Sequence, residues 1–503
     1  MVKWKNNRRG IIPGMLLCVV FLVIHCAAQS RSVTILHTND MHGAFIPHEA
    51  FWSKESPKPM VGGFSELAFI VDSVRQAIPG VLLLDAGDVM TGNPITEYEY
   101  HGVKGGILLE MMNRIGYEAW CPGNHDFDVS QANLVGLTSI ARFPTLCANL
   151  VNENDEFSVN NRSSVTIEKN GVRIGIIGLM SQSLYNLVNQ NNLTGLKVLS
   201  PVTTAQKLID ELGPNVDLVV ALTHQGIDED SVLAANVNGL DVIIGGHTHT
   251  RLYKPKIVNG VIIAQAGSNC ENLGELQVTV EGHRVTAYRG RLLPLYNHTG
   301  RASTPLTAMI DSVDGAIKHD YGEVIAHLGS EWSREGSGMA LGNLITEAQR
   351  IAARARVAIM NLHGIRRTIG PGPLTKGDLF EVLPFRNVLS VFQLTGKELR
   401  SIVQYHLETE SPITFAGLSC RWKKMPKGIK ILSLEIGGKP VDNESAYICT
   451  ANDYFIGEAQ RYLGMELRNV TYLQQTVFDA VETNLRSHAT IKPIRQKPIV
   501  KVR

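Results

Sequence analysis

Two kinds of hydrophobic pattern alternate along the N-terminal half of the chain. Short apolar runs, such as residues 33–38 and 81–84, predict buried strands, and segments with helical periodicity, such as residues 63–78 and 202–212, lie between them. Strands that alternate with amphipathic helices are typical of an α/β sandwich. The stretch 261–295 is richer in strands. We therefore expect one large α/β domain in this part of the chain.

The pattern changes near residue 296. Residues 296–305 include Asn297, Gly300, Ser303 and Pro305, which weaken regular structure, and residues 306–319 then predict a connecting helix. A helix over 341–354 and a strand over 357–360 follow. At 503 residues the chain exceeds one typical core. The expected units are an N-terminal domain over 31–300, a linker helix over 301–321 and a C-terminal domain over 322–503.

The first 28 residues are best set apart from the fold. Four basic residues between positions 3 and 9 precede an apolar run over 11–24 and then small residues, a pattern typical of a secretory signal. Cleavage after Ala28 would release a soluble exported protein, whereas lipidation of Cys26 would give a membrane-anchored lipoprotein. The apolar run is short for an uncleaved membrane span. We expect a periplasmic, extracellular or lipid-anchored protein.

Composition excludes one class of partner. The content of 44% hydrophobic and 19% charged residues is ordinary for a globular protein, and the net charge is only +1. A chain with this balance lacks the basic surface that nucleic-acid polymers require. We expect a small-molecule partner, and the oligomeric state stays open.

Metal-ligand residue types follow five of the apolar runs directly. Ligands gather outside the carboxyl ends of strands in α/β sheets, so these positions are expected to share one cleft. The spacing of Asp40 and His42 can aim both side chains the same way where the chain is extended. Each motif alone is more typical of a turn, and their joint occurrence favours a metal centre. The candidate ligands are Asp40, His42, Asp88, Asn124, His224, His247 and His249.

These residue types suit two divalent cations. Asp88 can bridge two ions with its two oxygens, and Gly87 beside it permits a close backbone approach. Imidazoles favour zinc, manganese or iron over calcium. With Asp88 shared, each ion would receive roughly four protein ligands and keep room for a water and a phosphate oxygen. We expect two ions, zinc, manganese or similar.

His125 and Asp128 follow Asn124 and are not needed to complete the ligand sets. Two metals that hold a phosphoryl group between them leave charge on the departing oxygen. His125 can donate a proton to that oxygen. Asp128 can accept the other ring N–H of His125 and fix its tautomer. We therefore predict a catalytic dyad.

The order of the motifs DMHG, GD, GNHDFD, TH and GGHTH resembles that of the calcineurin-like metallophosphoesterases. Within them, residues 33 to about 472 are similar to the 5′-nucleotidase and UDP-sugar hydrolase family. The resemblance implies an N-terminal four-layer α/β/β/α sandwich and a C-terminal α+β domain that binds substrate. It assigns one metal to Asp40, His42, Asp88 and His249, and the other to Asp88, Asn124, His224 and His247, with His125 and Asp128 as the dyad.

The C-terminal domain carries weaker matches to the nucleotide-binding loops of that family. The segment NLHGIR implies that Asn361 and Arg366 contact phosphate or base, and LPFRN implies that Phe385 forms one face of an aromatic clamp. Tyr454, expected at a strand over 452–455, would form the other face, and Arg334 matches a phosphate-binding Arg loosely. Arginine suits phosphate, and bases stack on aromatic rings. The alternatives are core packing for Phe385 and a solvated loop for Arg366.

Two departures from the family pattern concern the substrate. His363 replaces a small residue, and Gly457-Glu458-Ala459-Gln460 stands where the family has Gly-Gly-Asp-Gly, so the Asp expected to bind ribose is missing. We expect a phosphohydrolase for 5′-nucleotides or related esters, including UDP-sugars or cyclic nucleotides. The alternatives are a phosphatase for a non-nucleotide ester and a non-catalytic nucleotide-binding surface protein. A binding protein has no need of the dyad.

Overall fold

A computed structural model of the chain describes residues 1–2, 30–50, 52–298, 304–333, 340–488 and 498–502. Arg334, Cys26 and nearly all of the predicted signal segment lie outside the described residues, so the predictions made for them stay predictions. Among the helices that are described, none combines the length and the apolar character needed to cross a membrane.

The first sheet of the N-terminal domain is mixed. In spatial order, its described strands are Arg284–Pro294, Asn272–Glu281, Arg31–Thr38, Val81–Asp85 and Ala119–Trp120. The last three run parallel to one another, and the first two are antiparallel to their neighbours. The parallel strands are those that precede the first three metal motifs.

The second sheet has a parallel centre and antiparallel edges. In spatial order, its described strands are Lys256–Val258, Val261–Ala264, Val242–Gly245, Leu218–His224, Val172–Met180 and Ser164–Lys169. Its two central strands lead into the remaining metal motifs. Their nearly continuous apolar sequences reflect burial on both faces.

Alternation of side chains along the strands explains why the two sheets stack with helices outside them. In Arg31–Thr38, Val33 and Ile35 pack between the sheets, while Leu36 faces the opposite side and packs near Phe64. The first sheet is covered by helices Phe64–Ala77, Gly106–Ile115 and Gln131–Ile140, and the second by Pro201–Leu212 and Ile227–Asn236. The predicted α/β/β/α sandwich is confirmed.

The helix Pro305–Tyr321 connects this sandwich to the rest of the chain. Thr304 caps its first turn by accepting a hydrogen bond from the N–H of Thr307, and Pro305 occupies the first helical position, where no N–H is needed. Ile310 and Val313 on its apolar side join the core of the N-terminal domain. The helix therefore packs against that domain.

The C-terminal domain is α+β. One sheet contains Ile413–Ala416, Val357–Asn361, Ala446–Asn452, Val388–Thr395 and Thr471–Thr476, and another contains Lys439–Pro440, Gly428–Ile436, Leu418–Met425 and Ile499–Lys501. The described helices are Ala340–Ala352, Lys376–Val382, Gly396–Thr409, Asp453–Gly457, Ala459–Leu463 and Val477–Arg486. They form two separate hydrophobic clusters around the first sheet.

Short elements complete the described structure. The paired strands are His48–Glu49 with Met60–Val61, Glu99–Tyr100 with Val103–Lys104, Leu150–Asn152 with Leu196–Val198, and Val324–Leu328 with Gly372–Thr375. The 3₁₀ turns are Pro94–Glu97, His125–Phe127, Leu184–Asn186, Gln190–Leu193, Gly213–Asn215 and Leu362–Gly364.

The strand predicted over residues 452–455 is wrong. The strand Ala446–Asn452 ends at Asn452, whose side-chain oxygen accepts a hydrogen bond from the N–H of Phe455 at 2.7 Å. This bond caps the short helix Asp453–Gly457, so Tyr454 lies in its first turn. The capping Asn outweighs the extended pattern of the preceding residues.

The layer between the two sheets is expected to dominate the stability of the N-terminal domain. Leu222 is fully buried there, so Leu222→Ala should lower the free energy of unfolding by about 2–5 kcal/mol. Val232→Ala is the control, because Val232 is 56% exposed and should change stability by less than about 0.5 kcal/mol. Denaturant unfolding followed by tryptophan fluorescence measures both, and equal effects would contradict the assigned layer.

Candidate active site

Five loops that follow parallel strands converge at one edge of the sandwich. They follow Arg31–Thr38, Val81–Asp85, Ala119–Trp120, Leu218–His224 and Val242–Gly245. Six of the predicted ligands form two groups, and within each group the ligand atoms lie within 4.8 Å of one another. One group is Asp40, His42 and His249, and the other is Asp88, His224 and His247.

The backbone is left-handed at five of the seven ligand positions. The chain is therefore not extended between Asp40 and His42, in contrast to the geometry that their spacing predicts. Hydrogen bonds to the neighbouring loop, from Asp40 N to Gly87 O at 2.7 Å and from His42 N to Asp88 O at 2.9 Å, hold this conformation. Positive φ angles, from 49° to 79°, occur at Asp40, His42, Asp88, His247 and His249.

In the first group, His42 presents an unprotonated ring nitrogen. The Nδ1 of His42 donates to the carbonyl oxygen of Thr91 at 2.8 Å, which leaves Nε2 as the lone-pair nitrogen. This Nε2 lies 3.1 Å from His249 Nε2, which in turn lies 3.4 Å from Asp40 Oδ1. Burial lowers the pKa of His42 well below its usual value, and the nearby Arg366 and His249 lower it further. A neutral imidazole beside a carboxylate suits a cation.

The second group contains a buried nitrogen that fits a metal ligand. His224 Nδ1 donates to Ala86 O at 2.6 Å, while Nε2 makes no hydrogen bond with any residue that the structure describes. It lies 3.2 Å from Asp88 Oδ2. Burial lowers the pKa of His224, but the charge of Asp88 outweighs this and raises it to about 10. The same negative field favours a divalent cation at this point.

Asn124 and His247 complete the second group. Asn124 Oδ1 lies 2.9 Å from His247 Nδ1. Burial and the nearby His224 lower the pKa of His247 to about 4, so its imidazole is neutral. The structure thus brings all seven predicted ligands together. Their donor types match those of zinc and manganese sites.

Glycines are required where these loops touch. A Cβ atom at Gly123 would lie 2.2 Å from Asp88 Oδ1, and one at Gly87 would lie 2.5 Å from the backbone N of Gly123. Real Cβ atoms do not approach other atoms this closely. Gly87 also has a φ of 90°. The close approach predicted from Gly87 is therefore present.

Two polar residues, Asp126 and Asn39, support the ligands although the sequence motifs do not identify them. The buried carboxylate of Asp126 accepts hydrogen bonds from the N–H groups of Asp88, Met90 and Gly123, at 3.0, 3.0 and 2.7 Å. Asn39 Nδ2 donates to Asp40 Oδ2 at 2.6 Å. Asn39 adjoins the ligand Asp40 in sequence, and Asp126 adjoins His125 of the dyad. The sequence offers no signal that separates such a supporting residue from a ligand.

The predicted dyad is formed within one turn. His125 begins the 3₁₀ turn His125–Phe127, which brings its Nδ1 to 2.7 Å from Asp128 Oδ2. The backbone N–H of His125 donates to Asp88 Oδ1 at 2.7 Å, so the dyad is joined to the ligand loop. Burial lowers the pKa of His125, but the carboxylates of Asp128 and Asp88 raise it above the usual value.

The C-terminal domain contributes two side chains to this edge of the sandwich. Arg366 Nη2 lies 3.3 Å from His42 Nε2, and the ring of Phe385 lies 5.6 Å from that of His125, measured between centroids. The Arg366 guanidinium is 5.9 Å from the Phe385 ring. Both side chains therefore lie beside the candidate ligands and the dyad.

The other predicted substrate residues lie in different surroundings. Asn361 is only 3% exposed, and its Oδ1 accepts a hydrogen bond from Asn452 Nδ2 at 3.0 Å. The hydroxyl of Tyr454 donates to Asn186 O of the N-terminal domain at 3.3 Å. Asn361 thus stabilises its own domain, while Tyr454 bridges the two domains.

Polar bonds between the domains flank Phe385. Asn93 Nδ2 donates to Glu381 Oε1 at 2.7 Å, and Arg386 Nη2 lies 3.2 Å from Glu97 Oε2. Because Arg386 adjoins Phe385 in sequence, its ion pair helps to fix the place of that ring over the cleft.

Comparison with known families agrees with this architecture. The family profile described as calcineurin-like phosphoesterase matches residues 33–251, and the one described as 5′-nucleotidase, C-terminal domain, matches residues 317–464. The 5′-nucleotidase of Rattus norvegicus is 30% identical over 426 residues, which cover 75% of this chain and 72% of the relative.

Solved structures show the same two-domain fold. A 5′-nucleotidase precursor from Thermus thermophilus is similar with a TM-score of 0.82 and 26% identity, covering 94% of this chain and 99% of that one. The sulfate thiohydrolase SoxB of the same organism has a TM-score of 0.77 at 17% identity, covering 93% and 96%, and supports the fold alone. The chain therefore belongs to the 5′-nucleotidase family of calcineurin-like metallophosphoesterases and is a phosphoester hydrolase.

Proposed function

We propose that the protein uses two divalent metal ions to remove phosphate from 5′-nucleotides or related nucleotide phosphoesters. The observation that carries this proposal is the meeting of two ligand groups with the His125–Asp128 pair under Arg366 and Phe385. The relatives named 5′-nucleotidases support the nucleotide as substrate class. UDP-sugars and cyclic nucleotides belong to the same class.

The family implies divalent metal ions, and the residues present fit a pair of them. Asp88 belongs to the second group, and its charge also acts on Asp40 and His42 of the first. The buried Nε2 of His224 has no hydrogen-bond partner among the described residues and is free to bind a metal ion. One ion would be held by Asp40, His42, Asp88 and His249, and the other by Asp88, Asn124, His224 and His247, so that Asp88 serves both. When bound, zinc or manganese would activate a water and withdraw charge from the phosphoryl group.

The chain's own groups handle the substrate around that chemistry. Arg366 would pair with phosphoryl oxygens, because its guanidinium already points toward the ligand cluster. As water oxygen bonds to phosphorus, the ester P–O bond breaks and its electron pair stays on the departing oxygen. His125 would give that oxygen a proton from Nε2, while Asp128 holds the Nδ1–H. The products are the alcohol and phosphate.

Phe385 would bind the base by stacking, with Tyr454 as the second aromatic residue.

One observation favours a second candidate function, a phosphatase for a non-nucleotide ester. Glu458 stands in the segment where related proteins carry the ribose-binding Asp, and its side chain is only 12% exposed and lies 4.0 Å from Arg461.

We also propose that the protein is exported. The basic and apolar pattern of residues 1–28 supports this, with either cleavage after Ala28 or lipidation of Cys26. Mass spectrometry of the mature N-terminus distinguishes these routes, and an intact N-terminus on a cytoplasmic protein would contradict export.

Phosphate release from nucleoside monophosphates, measured with and without added Mn, Zn, Mg or Co, tests the function. Asp88→Asn should remove most activity and lower the metal content, because Asp88 would serve both ions. Metal analysis by mass spectrometry is the second readout. Two ions per chain with near-normal turnover in this variant would refute the bridging assignment.

The dyad is expected to take part in catalysis but not in binding the metal ions. His125→Ala should retain both metals and lower kcat by roughly 10²- to 10⁴-fold, the usual range for a lost proton donor. Asp128→Asn should be milder, since His125 remains. Kinetics are compared with metal content for each protein. Loss of metal from His125→Ala would instead make His125 a ligand.

The aromatic clamp is expected to act on substrates that carry a base. Phe385→Ala and Tyr454→Ala should each lower kcat/KM for nucleoside monophosphates by roughly 5- to 150-fold, which corresponds to about 1 to 3 kcal/mol of lost stacking. A small aryl phosphate should be nearly unaffected and is the control substrate. Similar losses on both substrates would indicate a folding defect.

Values of kcat/KM for ribonucleotides and deoxyribonucleotides test how the protein recognises the sugar. Without the ribose-binding Asp, the parent should discriminate weakly between ribonucleotides and deoxyribonucleotides, because no buried acceptor is left unpaired when the hydroxyl is missing. A strong preference for ribose would show that another residue binds it.

A further inference from the structure

Thr91 connects the proposed dyad to the ligand loops. Its hydroxyl donates to Asp128 Oδ2 at 2.7 Å, the same oxygen that faces His125 Nδ1 at 2.7 Å. Its carbonyl oxygen accepts the Nδ1–H of His42 at 2.8 Å. Thr91 is 7% exposed. One residue thus orients a ligand of the first group through its backbone and the dyad through its side chain.

The backbone of Thr91 is unfavourable for its residue type. Its φ is 65°, in the left-handed region that glycine and asparagine adopt far more readily than a β-branched residue. Gly92 follows with a φ of 140°, and a Cβ there would lie 2.6 Å from His42 O. The chain therefore turns tightly at this point, and a threonine is an unfavourable residue for the turn unless its hydroxyl is used.

Asp128 needs such a partner because it is not enclosed. Its side chain is 22% exposed, so water competes for its oxygens and the carboxylate can rotate away from His125. A hydroxyl fixed at 2.7 Å by a rigid turn favours one rotamer of Asp128. That rotamer places Oδ2 against the ring N–H.

We propose that Thr91 is a positioning residue that holds Asp128, and through it His125, in line with the departing oxygen. The inference rests on the proposed function. In that reaction the ester P–O bond breaks, its electron pair passes to the departing oxygen, and His125 Nε2 gives that oxygen a proton. Thr91 itself exchanges no proton with the substrate and acts only through Asp128.

If Thr91 has this role, the effect of removing its hydroxyl on the rate of hydrolysis should depend on the leaving group. A dinitrophenolate departs without needing a proton, whereas phenolate and the 5′-alkoxide of a nucleoside are poor leaving groups that need one. Loss of the Thr91 hydroxyl should therefore slow the hydrolysis of phenyl phosphate and of nucleotides selectively. A purely structural role would slow both kinds of substrate equally.

The experiment compares the metal-loaded parent with Thr91→Val, Thr91→Ala, Thr91→Ser and Thr395→Val. Valine keeps the shape of threonine, and alanine removes the hydroxyl without β-branching, so one of them is expected to fold at this turn. Serine keeps the hydroxyl. Thr395 is the matched control because its hydroxyl also donates to a carboxylate, Glu398 at 2.8 Å, in a helix cap of the C-terminal domain.

The substrates are dinitrophenyl phosphate, phenyl phosphate and a nucleoside monophosphate. Thr91→Val and Thr91→Ala should lower kcat by about 10-fold or more on the last two, with KM little changed, and by less than about 3-fold on the first. Thr91→Ser should recover most of the loss, and Thr395→Val should leave the ratio between substrates unchanged. Metal content should stay at the parent value.

Equal losses on all three substrates, loss of metal, or no recovery by serine would overturn the positioning role. If the parent itself hydrolyses none of the three substrates, the proposed function fails, and this inference fails with it. A parent that is active and a Thr91→Val variant with the same leaving-group dependence would refute the inference alone.

Discussion

The buried carboxylate of Asp88 is the constraint on which the cleft depends. One of its oxygens accepts the N–H of His125, and the other faces the Nε2 of His224. Its backbone N–H is held by Asp126. Because the carboxylate is fully buried, it is stable only where donors or cations surround it. The loops from both sheets are therefore arranged around one negative charge.

Two further features of the cleft are the glycines in the loops around Asp88 and the side chains that the second domain places beside them. Gly87 and Gly123 let the two loops meet at Asp88 without side chains between them. The C-terminal domain then places Arg366 near the ligands and Phe385 against His125. In the proposed function, the sandwich supplies the chemical groups and the second domain supplies the groups that select the substrate.

The layers of the fold follow from the sequence because strand ends and helix periodicity are local properties. The ligand motifs at strand ends are predictable for the same reason. The left-handed backbone at Asp40 and His42 is not, since it is held by bonds to Gly87 and Asp88, which are distant in sequence. Asp126 looks like one more ligand until its three N–H donors are known. The resemblance implies a strand at Tyr454, whereas the chain forms a helix there, because Asn452 caps the helix through a side-chain hydrogen bond that the sequence alone does not reveal.

The left-handed ligand positions also bear on how this protein can change during evolution. Each such conformation costs about 1–3 kcal/mol for a non-glycine residue. Several of them in one cleft, together with a buried carboxylate, lower the free energy of unfolding below that of the same fold without them. Replacement of a His at such a position by Asn or Gly lowers the backbone strain but removes the ligand. Drift without selection for activity should therefore lead to more stable proteins that keep the fold and lose the chemistry.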